Sequence, residues 1–383
     1  MKRQRRNIID LLILFLMAAN LSACKAQPTA KNSRELTSTS GYSKINIYND
    51  ATKNGIFDIS VEYDSDGIGW MAYSRVSLPK FVETRIARSI DHGKTWKYVN
   101  TVNVSKHGLQ INGQKKHKGA WRYETPSLLY DPKDKLSRRW KLFSQKYLSI
   151  PPYKKGKSLF QHGWIEYKYA SSPEGPWSKS VRLFGSKANK CKVDPNNLHR
   201  SLSKNVFYNE IGTISVNGVI YLSVDASTTP TGVGEWRKRK IVLFSSKDHG
   251  ESWRYVDTLT DYDDAGGFGY LVLTGSSLVR DGNQLYLLTT PSGKKGLFAK
   301  NRSHDGTYVI EFDDISKAKL RRDKKGKLVV SKIFKPEAGM HSGGLSDYDE
   351  QNTHGGILFS QLATEKKHHP EFFQVFSTGE KIR

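Results

Sequence analysis

An eight-residue pattern that occurs twice constrains the fold of this chain more than any other feature of its sequence. The copies run from Ser89 to Trp96 and from Ser246 to Trp253, and both read S-x-D-x-G-x-[ST]-W. The Asp carboxylate can accept hydrogen bonds from backbone N–H groups two residues on, and Gly supplies the positive φ of a tight turn. Alternating runs precede and follow each copy, so each octamer predicts a strand, a turn and a second strand.

Further strand-forming segments divide the chain between about residue 45 and the C-terminus into five units. Degenerate octamers begin at Ser171 and Ser303, so that successive octamers start 82, 75 and 57 residues apart. Each interval accommodates four short strands and their loops, which is the content of one propeller blade. With 11% aromatic residues and 32 glycines, the composition suits a sheet protein with many turns. The sequence therefore predicts an all-β fold, a five-bladed β-propeller.

The two octamers resemble the Asp-box repeat of bacterial sialidases (neuraminidases) and other β-propeller proteins. In that family the box lies on the outer turn of a blade, away from the active site. The resemblance therefore implies a fold and gives the octamers no catalytic role. The six-bladed propeller of the sialidases is the alternative to five blades.

The first 23 residues have the pattern of an export signal. Four basic residues lie within Met1 to Arg6, Ile8 to Met17 is apolar apart from one acid, and Leu21-Ser22-Ala23-Cys24 follows. The last four residues resemble the lipobox of bacterial lipoproteins, which implies that Cys24 becomes the lipidated first residue. Lys25 after it resembles proteins that are sorted to the outer membrane. An ordinary secreted protein is the alternative.

The predicted organisation is a lipoprotein signal peptide over residues 1–23, a flexible tether over residues 24–44 and a β-propeller domain over residues 45–383. The tether is rich in Ser, Thr and Lys and has almost no apolar periodicity. We expect a monomeric outer-membrane lipoprotein of the cell envelope that faces the periplasm or the surface. Its contact with the membrane is expected to be the N-terminal lipid only.

A strong excess of basic residues narrows the class of partner. The chain has 61 Lys and Arg against 37 Asp and Glu, a formal net charge of +24. In a cytosolic protein such a charge suggests nucleic acid, but the export signal argues against that partner. An anionic glycan, lipopolysaccharide phosphate or an acidic membrane face remain. Two basic insertions, Val104 to Gly119 and Gly185 to Asn205, each precede an inner strand, so we expect both to frame one end of the central channel.

Acidic residues begin three of the five units, at Asp58, Glu124 and Glu210. In a propeller the strand nearest the axis begins at the channel mouth, where a ligand would lie. This layout resembles five-bladed glycosidases such as arabinanases, β-xylosidases and fructosidases. The resemblance implies that Asp58 is the base or nucleophile, that Glu210 is the general acid, and that Glu124 orients the sugar or tunes its neighbour. Each acid could instead cap a turn or pair with a lysine.

One segment also resembles a motif of the sialidases. Trp121-Arg122-Tyr123-Glu124-Thr125-Pro126 is similar to a distorted Arg-Ile-Pro motif, which makes Arg122 a candidate for binding the substrate. A sialidase needs a cluster of arginines for the carboxylate of its substrate. No other unit offers an Arg at the equivalent position, so an exo-sialidase is the least favoured activity.

Aromatic and His residues complete the set of candidate substrate contacts. Trp121, Tyr270 and Tyr348 could stack on sugar faces, with packing in the core as the alternative for each. His341 and His354 lie in the fifth unit, where arabinanases often place a His near a central metal. No ligand spacing supports a metal here, so we predict neither a metal nor a cofactor and retain His341 as a substrate contact.

These observations together predict a glycoside hydrolase that cleaves an anionic or matrix polysaccharide. Such a reaction needs one protonated acid on the leaving oxygen and one ionised carboxylate for attack or for activation of water. The alternative is a glycan-binding propeller lipoprotein without catalytic activity. Fold alone does not decide between the two.

Overall fold

A computed structural model describes most of the propeller. It covers residues 34–36, 42–112, 114–153, 162–185, 189–228, 239–294, 304–335, 340–342, 345–352, 355–363 and 372–383. For residues 34–36, 112, 294, 340–342 and 361–363 only the backbone is described. Cys24 and His354 lie outside these ranges.

Five sheets, in which most neighbouring strands are antiparallel, form the blades of the propeller. Two short strands that precede the first blade are β1 Arg34–Leu36 and β2 Ser43–Lys44. Blade I consists of β3 Ile47–Tyr48, β4 Ile56–Tyr63, β5 Gly69–Ser77, β6 Phe81–Ser89 and β7 Trp96–Asn103. Blade II consists of β8 His107–Asn112, β9 Lys115–Tyr130, β10 Trp140–Ser149, β11 Trp164–Ala170 and β12 Val181–Phe184.

The remaining blades follow in chain order. Blade III consists of β13 Phe207–Val216, β14 Val219–Ser227, β15 Arg239–Ser246 and β16 Arg254–Thr260. Blade IV consists of β17 Tyr270–Asp281, β18 Gln284–Lys294, β19 Thr307–Asp314, β20 Lys319–Leu320 and β21 Val330–Phe334. Blade V consists of β22 Met340–Ser342, β23 Asp347–Asp349, β24 Gly356–Ala363 and β25 Phe373–Ser377.

The predicted five-bladed β-propeller is confirmed, and the six-bladed alternative is wrong. Within each blade the strands pair mainly in sequence order, as the alternating segments predicted. The described residues include one short α-helix, α1, and four 3-10 helices. They are α1 Tyr262–Gly267, and Leu136–Arg138, Pro195–Asn197, Arg200–Leu202 and Ile315–Lys317. In the described part of the chain, we find no helix with the length and apolar character needed to cross a bilayer.

Strands from the N-terminal segment complete two late blades. β1 pairs in parallel with β21 at the edge of blade IV, and β2 pairs with β25 of blade V. Both strands lie within residues 24–44, the segment predicted as a tether. These five residues therefore belong to the edges of the propeller, and the tether stays a prediction for the rest of that segment.

The two octamers form the same turn, between the third and fourth long strands of blades I and III. In blade I the Asp91 carboxylate accepts hydrogen bonds from Thr95 N at 2.9 Å and Thr95 Oγ1 at 2.6 Å. The acceptor therefore reaches four residues on, and not two as predicted. The reason is a pair of consecutive left-handed residues, His92 at φ 56° and Gly93 at φ 76°, which lengthens the turn. Trp96 then lies buried in the core at 2% exposure.

The blades pack face to face through apolar side chains, and aromatic rings fill the junction of blades II and III. The Phe143 and Trp253 rings lie 6.4 Å apart, edge to face, and the Phe184 and Phe244 rings lie 4.9 Å apart. All four side chains are buried. An edge-to-face pair such as Phe143 and Trp253 contributes roughly 0.5–1.5 kcal/mol beyond the area it buries.

Candidate active site

A bulge at the same level of four inner strands organises the site. The inner strands β4, β9, β13 and β17 each shift register against their neighbour at this level. The residue at each bulge is left-handed: Asp58 at φ 47°, Thr125 at φ 50°, Glu210 at φ 56° and Gly275 at φ 68°. Left-handed residues other than Gly cluster at functional sites, and a bulge redirects the side chain that it carries.

The bulges show which of the predicted acids are structurally equivalent. Asp58 and Glu210 occupy the same position in blades I and III, directly after the last regularly paired residue. Glu124 is that last paired residue in blade II, opposite Gln145, and Thr125 takes the bulge position. Asp58 and Glu210 therefore occupy equivalent places, as expected, whereas Glu124 lies one residue before the bulge of its strand.

Asp58 is a buried carboxyl at 4% exposure. Its Oδ1 accepts a hydrogen bond from Leu345 N at 3.1 Å, and its Oδ2 accepts bonds from Thr125 N and Ser74 Oγ, both at 3.3 Å. Burial raises the pKa of Asp58 to about 7, and the charges of Glu124 and, less strongly, Glu210 act in the same direction. Asp58 therefore changes between its neutral and ionised forms near neutral pH.

Glu210 faces a second carboxyl that is not among the predicted acids, Asp225 on β14. The hydroxyl of Thr274 lies 2.5 Å from Glu210 Oε2 and is also hydrogen-bonded to Asp225. Burial raises the pKa of Asp225 well above its usual range, and the Glu210 charge raises it too. Asp225 therefore retains its proton to a higher pH than a solvated aspartate, and the two carboxyl groups can share that proton in a hydrogen bond.

The sequence does contain a signal for Asp225. The Asn217-Gly218 turn fixes the register of the hairpin, with Val216 opposite Val219. Counting outward from this turn without a bulge puts Asp225 directly opposite Glu210. In the structure the bulge moves the regular partner of Asp225 to Asn209, while the two acidic side chains remain neighbours.

Glu124 lies in a different environment from the other two acids. Tyr147 donates its hydroxyl hydrogen to Glu124 Oε1 at 2.6 Å, and Arg122 Nη1 lies 3.5 Å from the same oxygen. Burial raises the pKa of Tyr147 well above its usual range, and the Glu124 charge raises it further, so that the phenol keeps its proton and remains a donor. Glu124 is thus held by a cation and a neutral donor.

Arg122 was predicted to bind the substrate, and the structure uses its donors inside the protein. Nε donates to the carbonyl of Lys80 at 3.0 Å, Nη2 donates to the carbonyl of Pro79, and Nη1 lies 3.3 Å from the Tyr147 hydroxyl. This guanidinium connects blade II to the β5–β6 turn of blade I. These contacts suit a residue that positions Glu124, and a contact of Arg122 with the substrate stays a prediction.

Two of the three predicted aromatic platforms are in the core. Tyr270 and Tyr348 are each 5% exposed, which favours the alternative of packing in the core, and their contact with a sugar stays a prediction. Trp121 is half-buried, with its ring centroid 5.4 Å from that of Trp164 and the Lys146 ammonium 5.2 Å above it. His341 lies in β22, where its backbone pairs with Leu362, and its side chain is outside the described part.

Two buried amides beside the acids have polar atoms without a partner among the described residues. Gln145, opposite Glu124, is 1% exposed, and neither its Nε2 nor its Oε1 is hydrogen-bonded there. Asn209, which directly precedes Glu210, is 1% exposed and has an unpaired Oδ1. Because an unpaired buried polar group costs about 1–3 kcal/mol, such atoms indicate where hydroxyl groups of a ligand would bind.

The channel is closed directly past the bulges. Leu128 N donates to Ser60 Oγ at 3.0 Å, and Thr213 N donates to Ser127 Oγ at 2.9 Å, which ties blades I, II and III together at the axis. The cavity inside this ring has a volume of about 20 Å³, roughly the space of one water molecule. A sugar must therefore approach the acids from the side of the mouth.

One group of side chains has the composition of a metal site but is already filled by a lysine. Asp131, Asp134 and His249 bring their ligand atoms within 4.8 Å of one another at the junction of blades II and III. The fully buried Lys141 ammonium lies 3.3 Å from Asp131 Oδ2 and 2.8 Å from Asp134 Oδ2. A cation of the protein itself thus occupies the position that a metal would need.

Comparisons with known proteins find likeness in fold and none in sequence. No protein-family model matches this chain, and no curated protein matches it. Solved structures with a TM-score of 0.50 include the GH32 β-fructofuranosidase of Bombyx mori, at 10% identity over 88% of this chain, and a thermostable family-43 glycoside hydrolase, at 10% identity over 87%. The exo-β-1,3-galactanase of Clostridium thermocellum matches at 12% identity over 87%, also with a TM-score of 0.50.

The matches differ in how much of the other protein they include. This chain spans 61% of the length of the silkworm protein, 91% of the family-43 protein and 60% of the galactanase. At such low identity they establish the fold alone. The chain is a five-bladed β-propeller of the kind found among glycoside hydrolases.

Proposed function

We propose that this protein is a glycoside hydrolase whose acid is Glu210 and whose base or nucleophile is Asp58. The observation that supports this most is that two equivalent bulges each place a carboxyl group beside a second one. Asp58 lies beside Glu124 and changes between its neutral and ionised forms near pH 7, whereas Glu210 shares the Thr274 hydroxyl with the buried Asp225. A pair of carboxyl groups with separated roles is what hydrolysis of a glycosidic bond requires.

In this proposal the proton is delivered from the pair of Glu210 and Asp225. Glu210 donates a proton to the glycosidic oxygen as the bond to the anomeric carbon breaks. The Asp225 carboxyl and the Thr274 hydroxyl hold the Glu210 carboxyl group in place, and the Asp225 proton is then shared with the carboxylate that Glu210 becomes when it gives up its own proton.

Asp58 acts on the opposite side of the bond. Its ionised form either attacks the anomeric carbon or removes a proton from the attacking water, and the anomer of the first product distinguishes the two. Leu345 N, Thr125 N and Ser74 Oγ fix its orientation. Glu124 lies next to Asp58 and orients the sugar, and Gln145 and Asn209 bind the hydroxyl groups of the sugar.

The substrate that we propose is an anionic or matrix polysaccharide. The net charge of +24 supports it, since a basic surface concentrates a polyanion and speeds its encounter with the mouth. We further propose that residues 1–23 direct export, that Cys24 is acylated, and that the protein is a monomer at the outer membrane. We also propose that the two octamers are Asp boxes and that the protein is related to the sialidase-like propellers.

The experiment that tests this function separates the acid from the base by the leaving group. Release of reducing ends is first measured on a panel of acidic and neutral bacterial polysaccharides. The rates of hydrolysis of aryl glycosides of the released sugar, which differ in their leaving group, are then compared. Glu210→Gln is expected to lose a factor of about 10²–10⁴ on the natural polymer and to recover on a dinitrophenyl glycoside, because that leaving group departs without protonation. Asp58→Asn is expected to lose activity on both.

A matched variant controls for the loss of one carboxylate. Glu174→Gln removes an exposed acid from the degenerate octamer of blade II, where it pairs with Arg88 and lies far along the blade from the bulges. This variant should retain the wild-type rate. If no polysaccharide is cut, while binding persists equally in wild type and Glu210→Gln and weakens with salt, the protein is a glycan receptor and the hydrolase proposal is refuted.

A further inference from the structure

A basic β-hairpin stands above the mouth of the channel and extends one inner strand beyond the others. It consists of β8 and the first six residues of β9, and we call it the rim hairpin. β9 begins nine residues before Glu124, whereas β4 begins two residues before Asp58 and β13 three before Glu210. At about 3.3 Å per residue, the tip of the rim hairpin lies up to about 30 Å beyond Glu124. The first basic insertion therefore contains a structured hairpin.

One face of the rim hairpin packs on the protein. Gln110 is 5% exposed, and its Nε2 donates to the carbonyl of His162 at 2.7 Å. Opposite it in the ladder lies His117, which is half-buried. The indole of Trp121 fills the space beside Gly108, where a Cβ atom would lie 2.2 Å from its Nε1. These contacts fix the hairpin on blade II and define its outward face.

The outward face combines exposed aliphatic side chains with exposed lysines. Leu109 pairs with Lys118 and Ile111 pairs with Lys116, and because opposed residues share a face, all four point the same way. Leu109 is 44% exposed and Ile111 is 61% exposed, and both lysines are exposed. Seven large apolar side chains are exposed among the described residues, and three of them are Leu109, Ile111 and the nearby Val104. Exposed apolar groups are therefore concentrated at this hairpin.

The charge of this face is uncompensated. Residues 104–119 contain four lysines and no acid. Within the part of the chain that the structure describes, neither Lys116 nor Lys118 forms an ion pair. Lysines in a β-hairpin protect it from edge-to-edge pairing, but that role does not call for large aliphatic side chains between them.

We propose that the rim hairpin docks on an anionic lipid surface. Leu109 and Ile111 enter the boundary between headgroups and acyl chains, while Lys116 and Lys118 extend along the same face and pair with lipid phosphates. A soluble anionic polysaccharide would pair with the lysines but gain little from aliphatic side chains, since sugars stack on flat aromatic rings. Docking turns the mouth of the channel toward the lipid, so that glycans carried by the membrane reach the acids first.

The test measures local protection of lysines in the full chain. The protein is mixed with vesicles of phosphatidylglycerol or of phosphatidylcholine and acetylated, and the modified lysines are quantified by mass spectrometry. We expect acetylation of Lys116 and Lys118 to fall several-fold on phosphatidylglycerol and to stay unchanged on phosphatidylcholine. Lys324 and Lys325, which are exposed in the turn between β20 and β21, report the same reaction away from the hairpin and should keep their reactivity. The measurement is local, so attachment through the N-terminal segment cannot produce this pattern.

Two variants separate the apolar from the electrostatic part of the docking. The double variant Leu109→Ser and Ile111→Ser should raise the lipid concentration needed for half-protection about tenfold, because it removes two partly buried aliphatic groups from the bound state. Leu136→Ser, which removes another exposed aliphatic side chain at 66% exposure outside the hairpin, should leave it unchanged. Hydrolysis of a soluble glycoside, measured in parallel, should be the same in all three proteins, so docking is tested separately from the proposed chemistry.

Three outcomes would overturn the proposal. One is equal protection, or none, on the two kinds of vesicle. Another is protection on phosphatidylglycerol that the serine variant leaves unaltered. The third is protection by soluble dextran sulfate that matches the effect of the vesicles, which would identify the hairpin as a contact for an anionic glycan.

Discussion

Replacing Asp58 with Asn is expected to stabilise the protein at high pH while it abolishes hydrolysis. The folded protein raises the pKa of Asp58 from 3.8 to about 7. This difference corresponds to about 4 kcal/mol of stability that is present below pH 4 and absent above pH 7, at 1.36 kcal/mol per pKa unit. The sign follows from proton binding: between these two values the unfolded chain is ionised while the folded protein still holds the proton, so a rise in pH favours unfolding.

Asn removes the cost of the buried charge and retains most of the geometry. Asn tolerates a left-handed backbone better than other residues with a Cβ, so the φ of 47° at position 58 adds little strain. Its amide group loses one of the hydrogen bonds that the carboxylate accepts from Leu345 N and Thr125 N, at about 1–3 kcal/mol. The net expectation is a gain of about 2 kcal/mol in the free energy of unfolding at pH 8, and no gain at pH 5.

Urea denaturation of wild type and variant at pH 5 and pH 8 measures this difference. The gap between the two proteins should change by about 2.5 kcal/mol over that interval, in favour of the variant at pH 8. Asp347→Asn is the matched control, because burial also raises the pKa of Asp347 to about 7, but Asp347 lies at the floor of the channel and accepts from Val61 N at 2.7 Å. It should show a similar pH dependence of stability and keep its activity. A gap between wild type and Asp58→Asn that is the same at both pH values would refute the account of Asp58 as a buried acid.

Three further predictions concern groups around the site and the packing of the blades. Asp225→Asn should lower kcat about 10–100-fold on poor leaving groups and leave unfolding nearly unchanged, since the amide still donates to Glu210 but carries no transferable proton; kinetics with a series of aryl glycosides measures this. Lys141→Met should lower the free energy of unfolding by about 3–5 kcal/mol in urea, because it strands two buried aspartates, and a loss below 1 kcal/mol would contradict the arrangement. Ser246→Ala should cost about 1 kcal/mol through the lost bond from Gly250 N, with the rate of hydrolysis unchanged, as expected of an outer turn.

The fold could be predicted because its signals are local and repeated. A turn such as the Ser89–Trp96 octamer requires particular residues at fixed offsets, and each copy indicates the strands on both sides of it. Counting the units then gave five blades without any knowledge of how they pack. The strands β1 and β2 could not be predicted in the same way, because an edge strand of two or three residues has too few side chains to show a period of two.

The site could be predicted only in part, because the alternation of polar and apolar residues does not predict the position of a bulge. Asp58 and Glu210 were identified as the first acids of their units, and their equivalence is real. Glu124 resembles them in sequence, but the bulge of blade II lies one residue later, at Thr125. Whether Tyr270 and Tyr348 are platforms or core depends on contacts with other blades, which a single strand does not encode.

The bulges also separate the residues that maintain the fold from those that face a ligand. The side chains that hold the inner strands together, Ser60 and Ser127, follow the bulges by two residues and bond to the backbone of the next blade. The residues at the bulges themselves differ from blade to blade, from Asp58 and Thr125 to Glu210 and Gly275. Structural contacts and chemical groups therefore occupy separate positions on the same strand. A propeller can keep the structural serines while the residues at the bulges change, so a shared fold carries little information about the sugar. The residues at the bulges are therefore the ones to examine when the sugar is to be identified.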